Sequence, residues 1–311
     1  MTTLFQQIAN GIVLGAVIGL IALGYTMVYG IIQLINFAHG EVFMVGAYGG
    51  LATYTYILPE QFRDDWQIAL PAVLVGGIVI SVITAVIMER FAYRPLRGGP
   101  RLAPLITALG VSVALQEAVR LFYPGATATL AFPPLFVDGD LRIPVPGGGG
   151  DVVITWIKLL LVIVAVLLAV GLQMYVSRSR MGRAMRATAQ DADTAKLMGV
   201  NPDRVIVLTF ILGAALAGVG GVMYGAYQNT INIDMGFQNG IFAFTAAVLG
   251  GIGSLRGAVI GAFCIGLIKT LGGQYLPGGN QYDYVWIFVV LILVLVFRPE
   301  GLFGEPEKVR A

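Results

Sequence analysis

The sequence predicts an all-α polytopic membrane protein with about 8–10 transmembrane or re-entrant helices and a cytoplasmic C-terminus. Hydrophobic residues make up 57% of the 311 positions and charged residues 12%, the latter about half the share found in a soluble domain. The second observation is the length of the apolar runs, because about 20 mostly apolar residues form one spanning helix. Such runs occupy residues 8–32, 42–58, 67–88, 102–122, 152–176, 205–227, 258–276 and 282–297.

One further apolar run, at residues 242–252, is too short to cross a membrane unaided, and it predicts a re-entrant segment or part of a broken helix. We expect residues 1–311 to form a single transmembrane domain. A signal peptide is not expected, since residues 1–7 carry no positive charge and the apolar run after them is too long. The single cysteine, Cys264, excludes an intrachain disulfide.

The distribution of charge predicts the orientation. Lys and Arg concentrate in alternate loops, at residues 89–101, at residues 178–204, at Arg256 and in the C-terminal tail. The positive-inside rule assigns these segments to the cytoplasm. The intervening loops hold two arginines and seven acids and are therefore predicted outside, at residues 59–66, 123–151 and 276–283. The N-terminus is also outside if the chain crosses nine times, and residues 123–151 form the one sizeable extracytoplasmic loop.

Small residues four positions apart line one face of three segments, which is typical of membrane helices in close contact. These stripes are Gly11–Gly15–Gly19, Gly213–Ala217–Gly221–Gly225 and Gly253–Gly257–Gly261. Helix packing is their expected role, and lining a pathway is the alternative.

A weak internal repeat accompanies the first two stripes. With one insertion, a first set of residues matches a second: Tyr29, Gly30, Gln33, Ile35, Asn36 and Gly40 against Tyr224, Gly225, Gln228, Ile231, Asn232 and Gly236. Paired Gly-interrupted segments indicate a translocation pathway, because unwound backbone at membrane depth is tolerated only beside a cavity or within protein.

Polar residues between the first two apolar runs allow two interpretations. In the first, Gln33, Asn36, His39 and Glu41 border the translocation path, since ionisable groups in a membrane face the bundle interior or water. In the second, the segment is a short cytoplasmic turn in which Asn36 caps the next helix and Glu41 lies near its N-terminus. His39 is the only histidine, so a His-rich metal site is excluded.

The sequence lacks the motifs of an enzyme or of a self-powered pump. It contains no Gly-x-x-x-x-Gly-Lys-[Ser/Thr] phosphate loop, no His-Glu-x-x-His and no Gly-x-Ser-x-Gly. We therefore expect no catalytic residues, no cofactor, no bound metal and no nucleic-acid partner. Active transport would need an ion gradient or a partner that hydrolyses ATP.

Residues 178–204 form a charged segment between two apolar runs, with six of the chain's 19 basic residues. The pattern predicts a helix, a turn and a second short helix at residues 194–198, with Asp191 and Asp193 as candidate caps and Gly199 at its end. Asn201 and Pro202 then start the next helix. Such a segment suits docking into a soluble domain, while its cations would equally suit anionic lipid.

Several motifs resemble one family. Ala195 and Gly199, preceded by residues 182–184 (GRA), are similar to the coupling loop of ABC importer permeases, although residues 188–191 (TAQD) replace the usual Glu-Ala-Ala. Further motifs resemble the membrane subunits of LIV-type branched-chain amino-acid importers, specifically the shorter of the two permeases, over most of residues 10–304. They are GYTMVYG at 24–30, INFAHGE at 35–41, ERFAYRP at 89–95, SRMGR at 179–183 and FTAAVLGGIGS at 244–254.

The resemblance implies a multi-pass protein of the bacterial inner membrane that works with a second homologous permease, two cytoplasmic ATPases and a periplasmic substrate-binding protein. Its ATPase-coupling loop would include Arg180, Gly182, Arg183, Arg186, Ala195 and Gly199. On chemistry alone, the amides of Gln33, Asn36, Gln228 and Asn229 suit the zwitterionic head of an amino acid. Two alternatives stay open: a permease for urea or a short amide, and an ion-driven secondary transporter.

Overall fold

A computed structural model describes residues 2–32, 36–96, 100, 102–145, 150–298 and 300–304, apart from the side chain of Asn280. Helices dominate this part of the chain. They are α1 (Thr2–Ile32), α2 (His39–Ala52), α3 (Trp66–Met88), α4 (Leu102–Phe122), α5 (Trp156–Arg178), α6 (Arg180–Gln190), α7 (Ala192–Leu197), α8 (Pro202–Gln228), α9 (Met235–Gly250), α10 (Leu255–Tyr275) and α11 (Asp283–Phe297).

Short irregular turns extend two of these helices. A π-helical turn, Thr53–Ile57, continues α2, and α3 continues through a π-helical turn at Glu89–Tyr93 into a 3-10 turn at Arg94–Leu96. Two more 3-10 turns precede α3 and α11, at Glu60–Phe62 and Gly279–Tyr282.

Four short strands lie outside the helices. They are β1 (Leu130–Ala131), β2 (Asp140–Pro144), β3 (Asp151–Thr155) and β4 (Thr230–Ile231), with β1 antiparallel to β4 and β2 antiparallel to β3. The predicted span at residues 152–176 is wrong at its start, because residues 152–155 belong to β3. Their apolar, β-branched side chains pair with β2, and the helix begins at Trp156.

Within the described residues, six helices are long and apolar enough to span a membrane: α1, α3 with its extension, α4, α5, α8 and α10. Two apolar helices are shorter, α9 and α11, and α2 with its π-helical turn occupies the predicted run at residues 42–58. The chain is thus an all-α multi-pass membrane protein, as predicted. Of the short run at residues 242–252, residues 242–250 form the second half of α9, which begins earlier, at Met235, and ends at Gly250.

The internal repeat extends over three helices in each half of the chain. A long helix, α1 or α8, is followed by a short helix, α2 or α9, which begins seven residues after the long helix ends in both halves, and then by a further span, α3 or α10. The third helix of each half packs against the long helix of the other half: α3 lies against α8, and α10 lies against α1. The short helices cross where the repeat was predicted to end, because a Cβ on Gly40 would collide with the Gly236 carbonyl and lie 2.8 Å from the Gly240 Cα.

The small-residue stripes pack helices together, as expected. A Cβ on Gly15 would lie 2.8 Å from the Phe263 Cα of α10, and a Cβ on Gly221 would collide with the Phe43 carbonyl of α2. Gly253 is an exception because it precedes α10 and has a positive φ of 95°. The third helical stripe therefore begins at Gly257, which lies against Gly250.

The two ends of the bundle carry opposite charge. One end, here called the acidic face, holds β2 and β3, and α1 begins there: the Gln6 side chain donates to the Val153 carbonyl at 3.0 Å and accepts from the Val153 N–H at 2.8 Å. The other end, the basic face, holds α6, α7 and the end of α3, where Arg94 forms a 3.1 Å ion pair with Asp203 of α8. The N-terminus thus shares a face with the loop at residues 123–151.

Candidate functional site

The charged segment on the basic face folds as helix, turn, helix. Ser179 caps α6 by accepting a hydrogen bond from the Gly182 N–H at 2.8 Å. Asp191 caps α7 by accepting from the Asp193 and Thr194 N–H groups at 2.9 and 3.0 Å. Gly199, with a φ of 82°, follows α7, and Asn201 caps α8 with Pro202 in its first turn. Of the two predicted caps of the second helix, Asp191 is therefore the cap, and the helix begins two residues earlier than predicted.

Helix α6 lies on the bundle with its apolar side. Gly182 and Met185 are buried, and α6 packs against α1, α5 and α8. Arg180, Arg183 and Arg186 are exposed. Arg186 also donates hydrogen bonds to the carbonyls of Val176 and Ser177 at the end of α5. The helix is thus fixed to three spans while Arg180 and Arg183 face outward.

The end of α7 presents an apolar pair that the sequence reasoning missed. Leu197 is 87% exposed and Met198 is 81% exposed, while Ala195 beside them is buried. Both residues lie in the segment between the end of α5 at Arg178 and the start of α8 at Pro202, next to Gly199. The signal available in the sequence was two adjacent large apolar residues directly before Gly199 in a charged segment.

The second group of predicted residues lies buried where α2 begins. Asn36 is 2% exposed, His39 2% and Glu41 1%. In the second interpretation the capping role of Asn36 is wrong, because the N-cap of α2 is Ala38, without a side-chain cap. Instead, the Asn36 Oδ1 accepts a 2.6 Å hydrogen bond from the Tyr93 hydroxyl. Glu41 does lie in the first turn of α2, as that interpretation expected. Residues 36–41 therefore enter the bundle interior.

Glu41 reaches across to α4. Its Oε1 accepts hydrogen bonds from the Ser112 hydroxyl at 3.0 Å and from the Gln116 Nε2 at 2.7 Å. Its Oε2 is buried without a hydrogen-bond partner and touches Gly236 of α9, where an added Cβ would collide with it. A buried carboxylate with one satisfied and one unsatisfied oxygen is costly. It is a candidate binding group for a cation.

His39 lies between α1 and α8. Its ring packs edge-on against Tyr25 with the centroids 5.1 Å apart, and it fills the space left by Gly24. The His39 Nε2 and the Asn36 Nδ2, like the Glu41 Oε2, have no partner. Among the described residues, no cluster of three His, Cys, Asp or Glu side chains could hold a metal ion.

Sequence reasoning missed four partners of this cluster: Tyr25, Tyr93, Ser112 and Gln116. A signal was present for two of them, since Pro104, Ala108 and Ser112 are the buried residues of α4 and lie four apart, with Gln116 next in that series. Such spacing defines one helical face. No local pattern in the sequence predicts that this face of α4 contacts Glu41.

The remaining predicted residues lie elsewhere. Gln228 and Asn229 are exposed at the end of α8 near the acidic face, and Asn229 adopts a left-handed backbone with a φ of 56°. His39 lies beside Gly213 of the same helix, and at 1.5 Å per residue Gln228 is about 22 Å further along. Gln33 lies outside the described residues. The structure thus brings together Asn36, His39 and Glu41 but not Gln228 or Asn229.

The chain resembles known membrane permeases over almost its whole length. It is 45% identical over 305 residues to the high-affinity branched-chain amino acid transport system permease protein BraD of Pseudomonas aeruginosa, which covers 97% of this chain and 96% of BraD. It is 44% identical over 302 residues to the corresponding protein LivH of Escherichia coli, with 97% and 96% covered. The permease protein LivM of the same bacterium is 26% identical over 309 residues, covering 91% of this chain and 67% of LivM.

A solved structure titled "PsaBC from Streptococcus pneumoniae in complex with Fab" has a similar fold. It matches with a TM-score of 0.50 at 13% identity, covering 94% of this chain and 91% of the other. A family model described as "Branched-chain amino acid transport system / permease component" matches residues 7–295. The chain therefore belongs to the family of permease components of branched-chain amino acid transport systems.

Proposed function

We propose that this protein is the permease subunit of an ABC importer that carries branched-chain amino acids across the bacterial inner membrane. The observation that carries the proposal is 45% identity to BraD across 97% of the chain. The buried, partly unsatisfied polar cluster within an all-α bundle supports a translocation role. Ionisable groups at membrane depth are costly, and where they occur they mark substrate or ion pathways.

ATP hydrolysis would be supplied by two separate cytoplasmic ATPase subunits that dock on α6 and α7. The charged side of α6 carries Arg180, Arg183 and Arg186, and the tip of α7 exposes Leu197 and Met198. An apolar pair surrounded by charge suits a groove on a soluble partner, where burial of apolar area provides binding energy and the charged rim provides specificity.

Two further partners complete the proposed importer. A second homologous permease is supported by LivM, a relative of this chain in the same bacterium as LivH. A periplasmic binding protein would deliver the amino acid to the acidic face, where most of β2 is exposed. The basic face would then be cytoplasmic.

The translocation path would pass Asn36, His39 and Glu41. The Glu41 Oε2 would accept a hydrogen bond from the ammonium group of the amino acid, because no donor within the described residues occupies this oxygen. In this structure Gly236 covers that oxygen. Exposure of Glu41 to the substrate therefore requires α2 and α9 to separate at their Gly40–Gly236 crossing. Gln228 and Asn229 would lie nearer the acidic entrance.

Motion of the ATPases would reach this crossing through packed helices. Helix α6 contacts α1, and α1 holds His39 through Gly24 and Tyr25. A displacement of α6 would move α1 relative to α2, because packed interfaces shift as units rather than deform continuously.

The substrate class is tested by competition in proteoliposomes that contain the complete transporter and binding protein. We expect excess unlabelled leucine, isoleucine or valine to abolish uptake of labelled leucine, and urea to leave it unchanged. The ammonium group distinguishes the two classes, since urea has no charge to offer Glu41. Uptake of labelled urea, with no leucine uptake, would replace the amino-acid proposal by the urea alternative.

A further inference from the structure

A cavity of about 460 Å³ opens on the basic face, away from the Glu41 cluster. It lies between α1, the junction of α5 with α6, and the start of α10. Its volume falls within the range of small-molecule sites, which is about 300–1,000 Å³. Apolar side chains from three helices form much of its wall, among them Met27, Ile31, Val176 and Met185.

The polar part of the wall is positively charged. Arg186 and Arg256 both line the cavity, and none of the described lining residues is acidic. The first turn of α10 also lines it, and its N-cap, Ser254, leaves further N–H groups of this 21-residue helix to face an anion. A helix N-terminus and a guanidinium favour the same ligand charge.

A buried hydroxyl gives an independent indication of a ligand. Thr26 is 1% exposed and lines the cavity, and its Oγ1 has no hydrogen-bond partner. Thr53, Thr209 and Thr270 each donate to the carbonyl four residues earlier in their helices. Thr188 and Thr245 are unpaired like Thr26 but do not line this cavity. An unpaired buried hydroxyl is destabilising. A hydrogen-bonding ligand in the cavity would remove that cost.

We propose that this cavity binds an anionic amphiphile, that is, a carboxylate or phosphate group carried on an apolar body. The anionic group would lie at Arg186, Arg256 and the start of α10, and the apolar body against Met27 and Ile31. Two sources offer this chemistry: a small aliphatic carboxylate from the cytosol, or an anionic phospholipid of the inner leaflet. An occupant would join α6 to α1 and α10, so it restricts the segment that transmits motion.

That the ligand would slow transport, by restricting α6, rests on the proposed function, whereas binding of the ligand to the cavity does not. Binding is measured on the complete transporter in nanodiscs of phosphatidylcholine, titrated with isocaproate and followed by thermal unfolding of the permease. Isocaproate has a branched aliphatic chain and a carboxylate but no ammonium group, so it lacks the group proposed to bind Glu41. A second series replaces phosphatidylcholine by phosphatidylglycerol in steps.

Two variants and a control test the site. Arg256→Gln removes one charge. Thr26→Val removes the unpaired hydroxyl and should leave helix α1 intact, because Val has nearly the same shape as Thr. We expect Arg256→Gln to weaken isocaproate binding about tenfold, the loss typical of one charge-assisted hydrogen bond. Thr26→Val should weaken it less, and Arg90→Gln, an exposed cation outside the cavity, should leave it unchanged.

Each outcome decides the inference. Stabilisation by isocaproate that depends on Arg256 supports the cavity with a small carboxylate as its ligand. Stabilisation by phosphatidylglycerol alone, again dependent on Arg256, supports it with a lipid as its ligand. Stabilisation by neither, or equal loss in Arg90→Gln, overturns it. If binding is found but the transporter takes up no leucine with ATP, the proposed function fails and the cavity stands.

Discussion

Replacement of Glu41 by Gln is expected to reduce ATP-driven leucine uptake at least tenfold. Gln keeps an Oε1 that accepts from Ser112 and Gln116, so the contact with α4 persists. It replaces the unpartnered Oε2 by an NH₂ group, which cannot accept the ammonium of an amino acid. A charge-assisted hydrogen bond contributes about 1.5–3 kcal/mol, or roughly a tenfold to hundredfold change in affinity.

The measurement is initial uptake of labelled leucine at several concentrations, with the amount of folded transporter set by size-exclusion chromatography. Glu117→Gln is the matched control, since Glu117 lies on α4, is about half exposed and pairs only with the neighbouring Arg120 among the ion pairs described. We expect that control to transport normally. Normal uptake by Glu41→Gln would remove Glu41 from the path.

The exposed pair at the tip of α7 gives the second large effect. The double variant Leu197→Ser, Met198→Ser is expected to lower the yield of ATPase subunits that copurify with the permease at least tenfold. Full burial of such side chains contributes about 1.5–3 kcal/mol each, and Ser retains little of it. Both side chains are exposed in the chain itself, so the fold of the permease should not change.

A matched control is Val137→Ser, which also removes an exposed apolar side chain but lies in the loop on the acidic face. We expect it to copurify with the ATPases as the unaltered protein does. Equal copurification by the Leu197 and Met198 double variant would show that docking does not use the tip of α7.

The fold class followed from apolar runs because membrane helices need length and hydropathy above all else. Hydropathy gave the wrong element where a strand has the same apolar composition as a spanning helix. Residues 152–155 are apolar and β-branched, so they read as the start of a span although they pair with β2. Residues 242–252 looked too short because Gln238 and Asn239 interrupt the apolar character of the first half of α9, which begins inside the bundle, against Gly40.

The site was only partly predictable for a different reason. The polar residues near the start of α2 were recognisable by their chemistry, and the caps of α7 and α8 followed from local rules. The partners Tyr93 and Gln116 come from helices far along the chain, and a single sequence contains no local signal for such contacts. The same limit explains why Gln228 was grouped with Asn36 although the two lie near opposite ends of α8.

Transport by this chain should depend on separate ATPases that drive it through α6 and α7. The decisive measurement is leucine uptake into proteoliposomes that contain both permeases and the binding protein, with and without the two ATPase subunits and ATP. We expect accumulation only when the ATPases and ATP are both present. Accumulation of leucine without the ATPases, driven by an imposed ion gradient, would instead identify an ion-driven transporter and rule out the ATP-driven importer.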